Sequence, residues 1–81
     1  MIQEDNCPPH YRGDGDIHCD RAMESMVVGW MRGDALPPMA VYWGESAFKY
    51  LWRWPLKGAP LKDIDKAIDC LQKLRASLNE E

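Results

Sequence analysis

The chain has 81 residues, 46% of them hydrophobic and 28% charged, and a formal net charge of -3 at pH 7. A chain of this length forms one domain at most. It buries a smaller fraction of its surface than a domain of ordinary size, so its core needs support from a disulfide, a metal or a partner subunit. The negative charge disfavours duplex nucleic acid as a partner, unless basic residues are clustered locally.

The beginning of the chain predicts an N-terminal arm followed by a helix. Residues 1–15 contain several prolines and glycines and show no regular period, which is typical of an extended arm or an ordered loop. Residues 16–81 form the predicted helical body of the same single domain. Asp16 is expected to cap a first helix from about Ile17 to Met31, because its carboxylate can accept a hydrogen bond from an amide of the first turn.

Two further helices are predicted after the first. Pro37 and Pro38 suit the start of a helix, which should run from about Met39 to Trp54 and end before Pro55. A last helix should run from about residue 61 to residue 78, with its charged residues largely on one side. Its apolar face consists of Leu61, Ile64, Ala67, Ile68, Leu71, Leu74 and Leu78. The predicted fold class is therefore all-α, a small three-helix domain with an extended N-terminal arm.

The middle helix carries apolar residues on nearly every side. A helix of this kind is normally enclosed by a large core or by a membrane, and two short neighbouring helices cannot easily enclose it. We therefore expect the protein to assemble as a homo-oligomer. The alternative is that its aromatic side chains close over the N-terminal arm within one monomer. The apolar residues of this helix are Met39, Ala40, Val41, Tyr42, Trp43, Ala47, Phe48, Tyr50, Leu51, Trp52 and Trp54.

The cysteines and the apolar runs predict a soluble protein of the cytoplasm. Cys7, Cys19 and Cys70 form no regular disulfide framework, and no secretory segment is recognisable, so we expect reduced thiols in a reducing compartment. Charged residues interrupt the most apolar stretch, so no membrane span is expected. His10 and His18 could join Cys7 and Cys19 as metal ligands, but the spacing does not match structural zinc sites, and neither a metal nor a cofactor is predicted.

Three polar residues of the middle helix recur every four positions. Glu45, Lys49 and Arg53 therefore share one stripe, which can be read as a solvated row of ion pairs. In the other interpretation, Lys49 and Arg53 converge with Lys57 on an anion such as a nucleotide phosphate, while Tyr50, Trp52 or Trp54 offers a face to a base. The chain has neither a GxxxxGK[ST] cradle nor a GxGxxG turn, so such a site would not be of a standard loop type.

The arm contributes two further candidate ligand-binding residues. His10 and Tyr11 follow two prolines and could insert their polar tips into the same site. A histidine-tyrosine pair that holds a loop in place explains them as well.

Several short segments, spread over roughly residues 8 to 78, carry a resemblance to a known family. They are Pro9-His10-Tyr11, Ile17-His18-Cys19-Asp20, Tyr42-Trp43-Gly44, Lys49-Tyr50-Leu51-Trp52-Arg53, Lys57-Gly58, Asp63, Lys66-Ala67 and Leu71. Together they resemble the SaV-like domain of phages and prophages, a family named as a domain of unknown function. The chain departs from the family pattern at His18, where many members have an acidic residue, and at Glu45-Ser46, where many have Gly-Asn.

The resemblance implies a nucleotide context. A similar domain occurs in nucleotide kinases of some podophages, which act on deoxynucleoside monophosphates and form large homo-oligomers. The resemblance therefore implies a phage accessory protein of the host cytoplasm that binds a nucleotide or another phosphate-bearing ligand, for nucleotide metabolism or to sequester a host signalling nucleotide. It leaves open whether the chain is an enzyme. The alternative is a non-enzymatic inhibitor that binds a host defence complex through the apolar helix.

Overall fold

The computed structural model describes residues 8–78, most of which lie in three α-helices. These are α1 (Cys19–Trp30), α2 (Pro38–Arg53) and α3 (Pro60–Leu78), and a 3-10 turn at Pro9–Tyr11 precedes them. Residues 8–78 contain no β-strand, so the expected all-α, three-helix class is confirmed. Residues 1–7 of the predicted arm, which spans residues 1–15, lie outside the described residues.

The first helix begins later than predicted, and Asp16 does not cap it. His18 occupies the N-cap position without a side-chain hydrogen bond, and the helix starts at Cys19. Asp14 accepts hydrogen bonds at Oδ1 from the backbone N–H groups of Asp16, at 2.9 Å, and of Ile17, at 3.0 Å. An aspartate bonded in this way to the backbone two and three residues ahead forms a local turn. That turn keeps Asp16 and Ile17 outside the helix.

The other two helices begin and end within one residue of the predicted positions. Helix α2 begins at Pro38, whose ring suits the first turn of a helix because the nitrogen there needs no acceptor. Gly58, with a φ of +93°, lies in the link between α2 and α3, where it permits a backbone conformation that side chains disfavour. Contacts between α2 and α3 run in opposite directions along the two helices, so the helices are antiparallel. These contacts are Arg53 with Asp63, Tyr50 with Lys66 and Trp43 with Lys73.

Helix α2 lies at the centre and packs much more extensively against α3 than against α1. Helix α1 approaches α2 where Gly44 faces the ring of Trp30. A Cβ atom at Gly44 would lie only 2.8 Å from a ring carbon of Trp30. The close approach of α1 to α2 therefore depends on the absence of a side chain at position 44.

The core is small and is built mainly of small side chains. The molecule measures 47 × 31 × 15 Å, with a radius of gyration of 14.2 Å, against about 12 Å for a compact domain of this length. Within residues 8–78, no helix is both long enough and apolar enough to cross a membrane. The flat shape explains why the large aromatic residues of α2 are mostly half-buried. The buried hydrophobic residues are Cys19, Ala40, Ala47, Ala67 and Cys70.

Helix α3 turns a different face to α2 than its amphipathic pattern indicates. The buried residues of α3 are Asp63, Ala67 and Cys70, and Leu74 and Ser77, which continue the same row along the helix, are half-buried. Most of the predicted apolar face lies to one side of this contact, and Leu61, Ile68, Leu71 and Leu78 remain exposed. The small side chains, and not the leucine-rich face, allow the two helices to approach.

Candidate functional site

A buried ion pair joins the end of α2 to the first turn of α3. Arg53 donates to Asp63 through Nε at 3.3 Å and through Nη2 at 3.4 Å. The side chains of Arg53 and Asp63 are only 10% and 5% exposed. The third guanidinium nitrogen, Nη1, donates to the hydroxyl oxygen of Tyr11 at 2.6 Å. Arg53 therefore ties the 3-10 turn, α2 and α3 together.

The surroundings of Arg53 keep its guanidinium charged. Burial by itself would lower the pKa of Arg53, but the hydrogen bonds to Asp63 and Tyr11 outweigh it, and the net pKa is raised. A guanidinium has five N–H donors, of which three are used by these two partners. One hydrogen on each terminal nitrogen is left for another acceptor.

Three cationic side chains surround the ring of Tyr50. Lys49 Nζ lies 5.6 Å from the ring centroid, Arg53 Cζ 4.8 Å and Lys66 Nζ 5.7 Å. We call these four residues the Tyr50 cluster. Neither Lys49 nor Lys66 forms an ion pair with another residue of the described part of the chain. Within residues 8–78, Asp63 is thus the one carboxylate that forms an ion pair with this cluster of three positive charges.

An open groove lies beside this cluster, between α1, α2 and the 3-10 turn. Its volume is about 930 Å³, and apolar side chains of α1 contribute much of its lining. Lys49 belongs to the Tyr50 cluster, and Tyr11 is hydrogen-bonded to Arg53 of that cluster. Both residues also line the groove, so the groove and the cluster are continuous. The full lining is Pro8, Tyr11, His18, Cys19, Asp20, Met23, Glu24, Val27, Val28, Glu45 and Lys49.

The charges of the groove are unevenly distributed. The lining includes three carboxylates, from Asp20 and Glu24 on α1 and from Glu45 on α2. It also includes one lysine, Lys49 on α2. The α1 side of the groove is consequently acidic, whereas the side next to Tyr50 is basic. An anion is expected to prefer the Tyr50 end, because like charges repel it elsewhere.

The structure brings together four of the six residues that the sequence marks for ligand binding. Lys49, Arg53 and Tyr50 form one cluster, and Tyr11 is hydrogen-bonded to it. His10 lies next to Tyr11, with ring centroids 4.3 Å apart, which fits a histidine-tyrosine pair within the turn. Lys57 is exposed in the link after α2, and no contact joins it to the cluster among the described residues.

Within residues 8–78, the predicted stripe of ion pairs on α2 does not form. Arg53 bonds to Asp63 on α3, and Lys49 approaches Tyr50. Within residues 8–78, Glu45 forms no ion pair with Lys49. The apolar environment of α2 favours the pairing of Arg53 with Asp63, since a charge there is stabilised best by a buried partner.

Two residues of the site were not assigned to it from the sequence. Asp63 and Lys66 lie one turn apart on α3. Their partners on α2, Arg53 for Asp63 and Tyr50 for Lys66, are at least ten positions away along the chain. The sequence does contain a sign that Asp63 is buried. Asp63 has the helical spacing of the small residues Ala67 and Cys70, so it is an acidic residue on the packing face of α3. Nothing comparable distinguishes Lys66 from the other lysines.

The thiols of α1 and α3 are buried. Cys19 and Cys70 are both buried, and burial, followed by the charge of Asp69, raises the pKa of the Cys70 thiol. Among residues 8–78, no three His, Cys, Asp or Glu side chains lie close enough together to hold a metal ion. Cys7, which was weighed as a ligand from the sequence, lies outside the described residues.

Comparison with models of protein families, with curated proteins and with solved structures finds no significant match to this chain.

Proposed function

We propose that the protein binds a phosphate-bearing small molecule, such as a nucleotide, at the Tyr50 cluster. The observation that carries the proposal is the position of Lys49, Arg53 and Lys66 around one ring, at 5.6, 4.8 and 5.7 Å from its centroid. Three neighbouring cations repel one another, and Asp63 neutralises only one of them. A bound phosphate would offset the remaining charge and accept hydrogen bonds from the lysines.

The arrangement divides the work between its cations. Arg53 is held by Asp63 and Tyr11 and so is oriented before any ligand arrives, which lowers the entropy cost of binding. Lys49 and Lys66 form no ion pair within residues 8–78 and are the groups that would contact phosphate oxygens. A base or another apolar part of the ligand would lie in the groove against Met23 and Val27 of α1.

The proposal is for binding, and it agrees with the nucleotide context that the SaV-like resemblance implies. A phage accessory protein in the host cytoplasm could use such a site in nucleotide metabolism or to sequester a signalling nucleotide. The buried free thiol of Cys70 fits a reducing compartment. We propose no reaction, because phosphoryl transfer needs groups that position two substrates and the Tyr50 cluster supplies one binding position.

The proposal is tested by thermal shift with inorganic phosphate, deoxynucleoside monophosphates, nucleoside triphosphates and cyclic nucleotides as probes. A probe at about 100 times its Kd should stabilise the folded state by about 2.7 kcal/mol. The doubly substituted Lys49→Ala/Lys66→Ala protein should lose this shift. The matched control is Lys73→Ala. Lys73 lies on α3, as Lys66 does, and approaches an aromatic ring, with Nζ 4.8 Å from the ring centroid of Trp43, but it is outside the cluster.

The two variants decide the outcome. A shift that persists in Lys73→Ala and disappears in Lys49→Ala/Lys66→Ala supports the site. If every probe leaves the melting temperature of the unsubstituted protein unchanged, or if the shift survives loss of both lysines, the anion site at Tyr50 is rejected. Isothermal titration calorimetry with the best probe then gives the stoichiometry per chain.

A second candidate function, binding to a host defence protein, is favoured by the groove. Its apolar floor and the carboxylates of Asp20, Glu24 and Glu45 suit an amphipathic helix with basic residues. A labelled peptide of leucines and lysines should bind the protein in a fluorescence anisotropy assay, and Glu24→Lys should weaken the binding. Asp34→Lys, an exposed loop position outside the groove, serves as the control.

We also propose that the chain works as a homo-oligomer. The flat shape and the small core support this, since no side chain within residues 8–78 is completely buried. Small domains with so little interior commonly gain stability from a partner subunit.

A further inference from the structure

The exposed face of α3 has the spacing of a coiled-coil seam. Apolar residues follow one another at alternating intervals of three and four, with a single interruption at Arg75. Their exposed fractions are 75% for Leu61, 48% for Ile68, 44% for Leu71 and 55% for Leu78, and Ile64 is half-buried. Alternation of three and four is the pattern by which the seam of one helix faces a second helix continuously. We call this row, Leu61, Ile64, Ile68, Leu71, Arg75 and Leu78, the α3 seam.

The α3 seam is separate from the contact that α3 makes with α2. The α2-facing side uses Asp63, Ala67 and Cys70, and none of the seam residues lines the groove or belongs to the Tyr50 cluster. Helix α3 has 19 residues and is therefore about 28 Å long, and the seam extends over nearly all of it. A row of this length is more than the scattered exposed apolar residues of an ordinary surface.

The charge within the seam indicates what covers it. In a parallel pair of α3 helices, Arg75 would face the partner subunit's Arg75 in the same layer, and the two charges would repel each other. In an antiparallel pair centred between Ile68 and Leu71, Arg75 would instead face the partner subunit's Ile64, next to the partner subunit's Asp65. Because the pair has twofold symmetry, this approach of Arg75 to Asp65 occurs twice in the dimer.

The charges needed for this arrangement are available on the surface. Asp65 and Arg75 are both exposed, and neither forms an ion pair among residues 8–78. The same antiparallel register places Leu61 opposite the partner subunit's Leu78, and Ile68 opposite the partner subunit's Leu71. The wholly apolar layers of the seam are then filled, and each of the two layers that contain an Arg75 has an opposite charge beside it.

We propose that two copies of this chain associate through antiparallel pairing of their α3 seams, with Arg75 of each copy next to the partner subunit's Asp65. The proposal rests on the homo-oligomer proposed above and names its surface. That surface is α3, and not the aromatic helix α2 from which the sequence predicts assembly. The pairing is independent of ligand binding, because the seam and the Tyr50 cluster share no residue.

The test is sedimentation equilibrium of the full chain, without added nucleotide, over a concentration range from about 1 to 200 μM. The unsubstituted protein should sediment as a dimer of the 9.3 kDa chain. Ile68→Glu should weaken dimerisation by at least about a hundredfold, since it places a carboxylate in the central layer of the seam. Leu56→Glu is the matched control, because Leu56 is 56% exposed but lies in the link outside the seam.

The orientation is tested by exchanging the two charges. Asp65→Arg and Arg75→Asp should each weaken the dimer by about tenfold, and the protein with both substitutions should recover affinity close to that of the unsubstituted protein. Circular dichroism at each step shows whether the helical content is retained, and only variants that retain it are compared.

Several results would overturn the proposal. They are a monomer at 200 μM, an unchanged dimer in Ile68→Glu, an equal loss in Leu56→Glu, and a lack of recovery in the doubly substituted protein. A normal nucleotide-induced thermal shift in the monomeric Ile68→Glu protein would leave the anion site intact. A dimer without any ligand shift would leave the α3 seam intact, so the two proposals fail separately.

Discussion

Arg53 and Asp63 are joined by two hydrogen bonds, of 3.3 and 3.4 Å, between the end of α2 and the beginning of α3. The pair spans the link between the helices and is completed by the hydroxyl group of Tyr11. Its position makes it both a structural brace and the fixed part of the candidate anion site. Stability and ligand binding are therefore expected to respond differently to substitutions at Arg53 and at the neighbouring lysines.

Replacement of Arg53 by alanine should destabilise the protein even without ligand. The substitution leaves the carboxylate of Asp63, which is only 5% exposed, without its partner, and breaking a buried ion pair in this way costs about 3–5 kcal/mol. Urea unfolding followed by circular dichroism measures the effect. Arg21→Ala is the control, since the Arg21–Glu24 pair is 77% and 71% exposed and should contribute less than about 1 kcal/mol. Equal losses for the two variants would contradict a buried brace at Arg53.

Alanine should have opposite effects at two helical glycines. A Cβ atom at Gly44 would lie 2.8 Å from a ring carbon of Trp30, so Gly44→Ala should cost about 1–3 kcal/mol through overpacking between α1 and α2. A Cβ atom at Gly29 meets no atom of residues 8–78 within 4 Å, so Gly29→Ala should stabilise α1 by about 0.5–1 kcal/mol.

Melting temperatures measured by calorimetry test this pair, with about 4–8 °C expected for each kcal/mol in a domain of this size. A stable Gly44→Ala protein would show that α1 does not approach α2 as closely as the structure has it. A destabilised Gly29→Ala protein would indicate a contact on the outer side of α1.

The carboxyl group of Asp14 should titrate below its ordinary value of 3.8. The N–H groups of Ile17 and then of Asp16 bond to the charged carboxylate and lower its pKa. A lowered pKa in the folded state means that the turn is stabilised above pH of about 4 and loses this contribution as the pH falls through the folded value. Carboxyl chemical shifts in an acid titration measure the pKa directly. A titration midpoint at or above 3.8 would contradict the turn, and Asp14→Asn should remove the effect.

The two buried thiols should react slowly with a thiol reagent. Burial raises the pKa of Cys70, which reduces its thiolate fraction, and Cys19 is also buried. In a Cys7→Ser background, both should react at least about tenfold more slowly at pH 8 than a free cysteine, because reaction requires local opening. Unfolding in urea should abolish the protection. Fast reaction of the folded protein would contradict the packing of Cys70 against α2.

The raised pKa of Cys70 also has a consequence at high pH. The neutral thiol is favoured in the folded state, so its contribution to stability is present below the ordinary thiol pKa of 9.0 and decreases as the pH rises through the folded value. Stability measured by urea unfolding should therefore fall above pH of about 9, and Cys70→Ala should reduce that fall. A protein whose pH dependence is the same with and without the thiol would exclude this contribution.

Helix positions and part of the site could be predicted from local sequence. Prolines placed the starts of α2 and α3 to within one residue, because ring geometry acts at the residue itself. The same locality grouped Lys49, Tyr50 and Arg53 on one helix. The error at α1 was also local, since Asp14 closes a turn that keeps Asp16 and Ile17 outside the helix, and His18 takes the N-cap position.

The tertiary structure decided which partners those residues meet. Asp63 and Lys66 reach α2 only because the link folds α3 back antiparallel to it, and no residue within α2 indicates this. The choice of face on α3 was likewise a matter of packing. Small residues such as Ala67 and Cys70 let the helix axes approach, so the larger Ile68 and Leu71 remained outside. The sequence by itself determined where helices form, because capping and proline effects act over one turn. Only the folded arrangement determined how the charges pair, because those contacts join residues that are distant along the chain.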